Sequence, residues 1–144
     1  MVDAAQNSMF AVLQTGYPAA MSARAISLVR HDGDACVVAL TGEHDLSSVD
    51  ELIAVLEQAT SSPGMVVDLS ATSFIDSAVL GALIASHRGA AASGRRWALV
   101  VGKGSGAAVR RILELTGLDA VMPVYAGLGD ALAASLPSES GLPG

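Results

Sequence analysis

From Ala25 onward, short apolar runs suited to strands alternate with stretches of helical periodicity. That alternation restricts the fold more than any other feature, because strands separated by helices pair in parallel and need right-handed crossovers. Ile26, Leu28 and Arg30 alternate with Ser27 and Val29, HDGD at 31–34 supplies a hairpin turn, and residues 36–40 resume the strand. The first two strands are therefore antiparallel. A helix opens at Ser47-Ser48-Val49-Asp50-Glu51, where Ser48 and Glu51 fit a capping box, and Leu52, Val55, Leu56 and Ala59 form its apolar face. Pro63-Gly64 ends it.

Residues 65–69 read as a short buried strand, and residues 77–92 as a helix with Leu80, Leu83, Ile84 and His87 on one side. Residues 97–101 form the next strand. Gly102-Lys103-Gly104-Ser105-Gly106 then leads into a helix whose apolar row is Val109, Ile112, Leu113 and Thr116, closed by Gly117. Residues 120–124 make a fifth strand and 128–136 a last helix. The expected fold is α/β, in the order β-β-α-β-α-β-α-β-α, with a mixed five-stranded sheet that begins as an antiparallel hairpin. Binding sites of such sheets gather at the carboxyl ends of the strands, where the loops 42–46, 70–77 and 102–105 converge.

A chain of 144 residues, 51% hydrophobic and 15% charged, has material for one domain and is not disordered. We place that domain at 24–136, between loosely ordered segments at 1–23 and 137–144. With only one Trp, two Tyr and two Phe, its core is aliphatic. The lone Cys36 forms no internal disulfide, which suits a reducing, cytoplasmic setting. Residues 4–23 carry no charge, but Asp3 stands where a signal peptide carries basic residues. The segment's one apolar cluster is at 9–13, and Gln6, Asn7, Gln14, Gly16 and Pro18 break up the rest, so neither a secretion signal nor membrane insertion is expected.

Up to Asp76 there are ten acidic residues against Arg24 and Arg30; from Ser77 on, four against six basic ones. The acidic first half argues against nucleic acid and suits a partner with a basic patch; ordinary surface solvation is the plainer explanation.

The converging loops put Asp45, Asp68, Asp76 and Ser77 on or near one edge. Clustered carboxylates bind a divalent metal or work as an acid/base pair, or they bond backbone donors and cap helices. No histidine stands at metal-ligand spacing, and no base, G-x-S-x-G elbow or Lys is placed to activate Ser77. A serine at a helix start is ordinarily a cap. Here it also sits where a helix N-terminus accommodates phosphate while Asp76 repels it, the local field change that a switch requires. GKGSG lacks the Walker spacing and reads as a tight turn. Cys36 and Trp97 read as packing residues, and His87 as a satisfied, partly buried histidine.

Gly42-Glu43-His44-Asp45, Asp68-Leu69-Ser70, Phe74-Ile75-Asp76-Ser77 and Leu115-Thr116-Gly117-Leu118, in this order, resemble the STAS domain of anti-sigma factor antagonists. The resemblance spans about residues 25–136. It implies a protein-binding switch. The unmodified antagonist takes up an anti-sigma serine kinase and frees a sigma factor for transcription. The kinase phosphorylates Ser77 and is released, and a serine phosphatase resets the chain. Partner contacts fall on Asp45, Asp76, Ser77, Ala78 and Val79. The chain itself is then not an enzyme and needs no metal or other cofactor.

Two positions depart from the family pattern. Val79 stands where Gly is usual, which we read as filling the space a partner backbone would approach. His44 stands where an apolar residue is common. An accessory STAS subunit serving a membrane transporter is the alternative reading.

Overall fold

The inner strands are apolar on both faces, and their alternate residues feed two separate cores. In β2 (Ala35–His44), Cys36, Val38 and Leu40 point to one side and Val37 to the other. Likewise β3 (Gly64–Ile75) parts Met65, Val67 and Leu69 from Val66, and β4 (Arg96–Val100) parts Trp97 and Leu99 from Ala98 and Val100. This is the pattern of a parallel sheet covered on both sides, and it explains the near-continuous apolar runs. The computed structural model describes residues 24–31 and 35–135. The tails expected at 1–23 and 137–144, and Asp32, Gly33 and Asp34 of the hairpin turn, lie outside the described residues.

The larger core takes Leu52, Val55, Leu56 and Ala59 from α1 (Val49–Ala59), Val79, Leu80 and Leu83 from α2 (Ser77–Ala92), and Val109 and Leu113 from α3 (Ala107–Thr116). The smaller core is closed by Ala131 of α4 (Leu128–Ser135). With β1 (Ala25–His31) and β5 (Val124–Tyr125), the sheet runs β1-β2-β3-β4-β5, antiparallel between β1 and β2 and parallel thereafter. Each fully buried aliphatic side chain contributes roughly 1.5–3 kcal/mol, so the larger core dominates stability. The sole Trp97 packs there against α2: its Nε1 donates to Ser86 Oγ at 3.0 Å, and the His87 ring meets it edge-on at 5.1 Å.

Three strands differ from expectation: the second runs on from Leu40 to His44, so residues 42–44 of the loop expected at 42–46 are strand. The third runs on past Leu69 to Ile75, because β2 is long enough to supply pairing partners as far as His44↔Ile75. Register shifts between Ala39 and Thr41 and between Gly42 and Glu43 accommodate extra β3 residues there. The stretch 70–75, read as a loop, is strand. The fifth strand shrinks to two residues: the amides of Ala120, Val121 and Met122 bond back to Gly117 and Leu118 in a single 3-10 turn, and Pro123 has no amide to offer. The helix at 77–92 begins and ends where the periodicity placed it.

The GKGSG segment is a brace. A Cβ on Gly104 would strike the Ser70 carbonyl oxygen, and one on Gly106 that of Ser73. The Gly106 amide bonds Thr72 O at 2.8 Å, and Ser105 Oγ donates to Leu69 O at 2.7 Å. The glycines let this loop press against the β3 extension, which fixes the ledge from which α2 departs.

Candidate functional site

β2 and β3 end side by side, with His44 opposite Ile75, and each is followed by an aspartate. Asp76 is the N-cap of α2: its Oδ1 accepts the Val79 amide at 3.0 Å. Its Oδ2 accepts the Leu46 amide, also at 3.0 Å, and so ties the loop after β2 to the start of α2. Ser77 therefore does not cap the helix. It is the first helical residue, exposed, with no charged side chain in its own first turn.

Asp45 organises the facing loop. Its Oδ1 accepts the Ser47 amide at 2.9 Å, the Ser47 hydroxyl at 2.5 Å and the Arg24 guanidinium at 2.9 Å. The Ser47 hydroxyl and amide, with Arg24 as a weaker contributor, hold its carboxyl below the usual 3.8. The expected Ser48–Glu51 capping box is absent, because the Ser48 hydroxyl is spent elsewhere: it lies 3.1 Å from both His44 Nδ1 and Asp45 O.

His44 is the last residue of β2 and is 0% exposed. Its Nε2 lies 3.0 Å from Thr41 O. A carbonyl only accepts, so Nε2 carries the proton in the neutral ring and Nδ1 accepts from Ser48. Burial pushes the imidazole below its ordinary 6.5, and the Thr41 carbonyl only partly offsets this.

The geometry sorts the residues expected at the site. Asp45, Asp76 and Ser77 come together. Ala78 is half-buried beside them. Val79 is 0% exposed, its side chain sunk in the larger core and its amide taken by Asp76, so the reading of Val79 as a partner contact or obstacle is corrected. Asp68 is likewise separate. It stands level with Val100, accepts the amide and hydroxyl of Ser70, and is followed by seven further strand residues, on the order of 20 Å of chain, before Asp76. Among the described residues, no three His, Cys, Asp or Glu side chains converge as a metal site.

Sequence reasoning missed two side chains here. Leu46 is 69% exposed and follows Asp45, with its amide held by Asp76, and Phe74 is 40% exposed two residues before Asp76, paired with exposed Glu43. Leu46 follows Asp45 in a short loop, which is the signal that would have marked it. Phe74 falls in the stretch whose strand character is invisible in the sequence. Arg24, which pins Asp45, enters a sequence reading only as charge.

The family model described as Mlab, STAS domain, matches residues 27–129. An anti-sigma factor antagonist from Mycobacterium paratuberculosis is 34% identical, with a TM-score of 0.70, over 79% of this chain and 95% of that one. A serine-to-glutamate variant of RsbS from Moorella thermoacetica is 27% identical, with a TM-score of 0.61, over 75% of this chain and 92% of that one. The anti-sigma factor antagonist SpoIIAA of Bacillus, in its unphosphorylated form, is 23% identical with a TM-score of 0.62, over 75% and 93%, a likeness of fold. No curated protein matches the chain.

Proposed function

Because the chain belongs to the STAS-domain family of anti-sigma factor antagonists, we propose that its unmodified form binds an anti-sigma serine kinase and so frees a sigma factor. The observation that carries this reading is Ser77: exposed, first in its helix, and relieved of capping by Asp76. The kinase transfers the γ-phosphoryl group of ATP to Ser77 Oγ, the hydroxyl proton passes to a base of the kinase, and ADP leaves. A serine phosphatase hydrolyses the ester and restores the hydroxyl.

Phosphate adds roughly −1.5 to −2 charges beside Asp76. Leu46, exposed and tied to Asp76 through its amide, offers an apolar contact beside Ser77, and Asp45 and Asp76 make its surroundings acidic. A partner with an apolar socket and basic surroundings fits it; a dianion buried in the apolar socket, where no cation matches it, costs several kcal/mol and ejects the partner. The chain contributes no catalytic set of its own and acts as substrate and ligand, in the cytoplasm with the transcription machinery. Among the described residues, no helix is long and apolar enough to cross a membrane.

The test is incubation with candidate anti-sigma kinases and ATP, followed by mass spectrometry and a binding assay. A single phosphate on Ser77 and loss of the complex are expected. Equal affinity of the modified and unmodified chains for every kinase that binds would refute the reading.

A further inference from the structure

His44 is unused by this switch, yet its hydrogen bonds lead into the switch loop. The neutral ring donates Nε2–H to Thr41 O and accepts the Ser48 hydroxyl at Nδ1. Ser48 Oγ also lies 3.1 Å from Asp45 O, and its single proton serves one acceptor at a time. Protonation at Nδ1 reverses the first bond: the ring then donates to Ser48 Oγ, and the hydroxyl proton turns to Asp45 O. Asp45 O accepts the Ser48 amide at 2.9 Å in either state, so the ring can take up a proton without leaving a partner unsatisfied. What changes is the bonding of Asp45 O, next to Leu46, whose amide is held by Asp76.

Charged groups approach His44 from each neighbouring element: Arg24 ahead of β1, which opposes protonation, and Glu51 on α1, which favours it. Asp45 follows it in its own loop, and Asp76 follows β3 as the cap of α2. From α2 nothing charged faces it, since the first turn carries no charged side chain. A phosphate on Ser77 would be the new charge on that side. His44 pairs with Ile75, two residues before Ser77, so His44 and Ser77 lie on the order of 10 Å apart along the backbone.

We infer that His44 is a proton-linked positioning residue: negative charge at Ser77 draws a proton onto the imidazole, and the proton in turn re-sets the Asp45–Leu46 loop and disfavours a basic partner. Linkage makes the effect reciprocal, so acidification weakens docking and favours the charged form of Ser77. The functional consequence rests on the switch proposed above; the linkage itself is a property of this chain alone.

The test needs no partner. The imidazole resonances of His44 and the amides of Leu46 and Val79 are followed by NMR in the full chain between pH 5 and 8, in wild type, Ser77→Glu and His44→Gln. In wild type, the Leu46 amide should titrate with the His44 midpoint. Ser77→Glu should raise that midpoint by several tenths of a unit. His44→Gln, which keeps a donor for Thr41 O, should abolish that titration of Leu46 while the chain stays folded. A midpoint indifferent to charge at residue 77, or a Leu46 amide that ignores His44, would overturn the inference and leave His44 a packed core residue. A shifted midpoint in a chain that captures no kinase would uphold the linkage and remove the switch.

Discussion

Asp76 holds Leu46 across the gap between two loops: one carboxylate accepts the Leu46 amide and, through its other oxygen, the Val79 amide, each at 3.0 Å. The residue before Ser77 is thus both the helix cap and the fastening of the docking loop, and a group added to Ser77 meets both. An exposed serine and a loop ordered elsewhere would not communicate in this way.

Asp76→Ala should therefore cost more than an ordinary cap. We expect a loss of about 2 kcal/mol in chemical denaturation, from the cap and the orphaned Leu46 amide together. Asp76→Asn, which keeps one acceptor oxygen, should lose about half as much. An alanine variant within a few tenths of a kcal/mol of wild type would show that neither bond matters.

Substitutions at Ser77 should separate binding from stability. The side chain is exposed and makes no cap, so Ser77→Ala and Ser77→Asp should both melt within about 0.5 kcal/mol of wild type. Ser77→Ala should hold a kinase partner permanently. Ser77→Asp, with one charge in place of nearly two, should bind roughly tenfold more weakly, about 1.4 kcal/mol by titration calorimetry.

Val79→Gly tests the buried position. It removes a core side chain and places glycine in the first turn of α2. We expect a destabilisation of about 2–4 kcal/mol and no gain in phosphorylation rate at temperatures where the variant is folded. Faster phosphorylation of a fully folded variant would restore the idea that Val79 obstructs the partner.

Stability should fall with acid in two stages. The native pKa of His44 lies below 6.5, so the unfolded chain binds more protons there. Its contribution is complete above pH 6.5 and is lost as pH falls from there through the native value. The lowered carboxyl of Asp45 contributes above pH 3.8 and is lost as pH drops through its own native value below that. Melting temperature against pH should show both declines, and His44→Gln should remove the upper one.

The order of elements and the helix from Ser77 were legible because apolar periodicity and capping residues are local signals. The extension of β3 was not: Ser70, Ala71, Thr72 and Ser73 carry no strand pattern and become strand only because β2 runs beside them. The same cause hid the separation of Asp68 from Asp76. Asp45, Asp76 and Ser77 were readable as one edge, since each follows a strand end. The division of labour between Asp76 and Ser77 was not, because either residue type caps helices and only the backbone register decides which one does. Val79 misled for a similar reason: a residue type unusual in a motif says nothing of the direction in which it points.

The single indole, hydrogen-bonded to α2 through Ser86 and edged by His87, makes this chain its own optical probe. Any reseating of α2, through a substituent on its first residue or the loss of its cap, changes the surroundings of Trp97, and no second tryptophan masks the change. Emission wavelength and quantum yield should therefore follow events at Ser77 in real time, in unlabelled protein and in mixtures with partners.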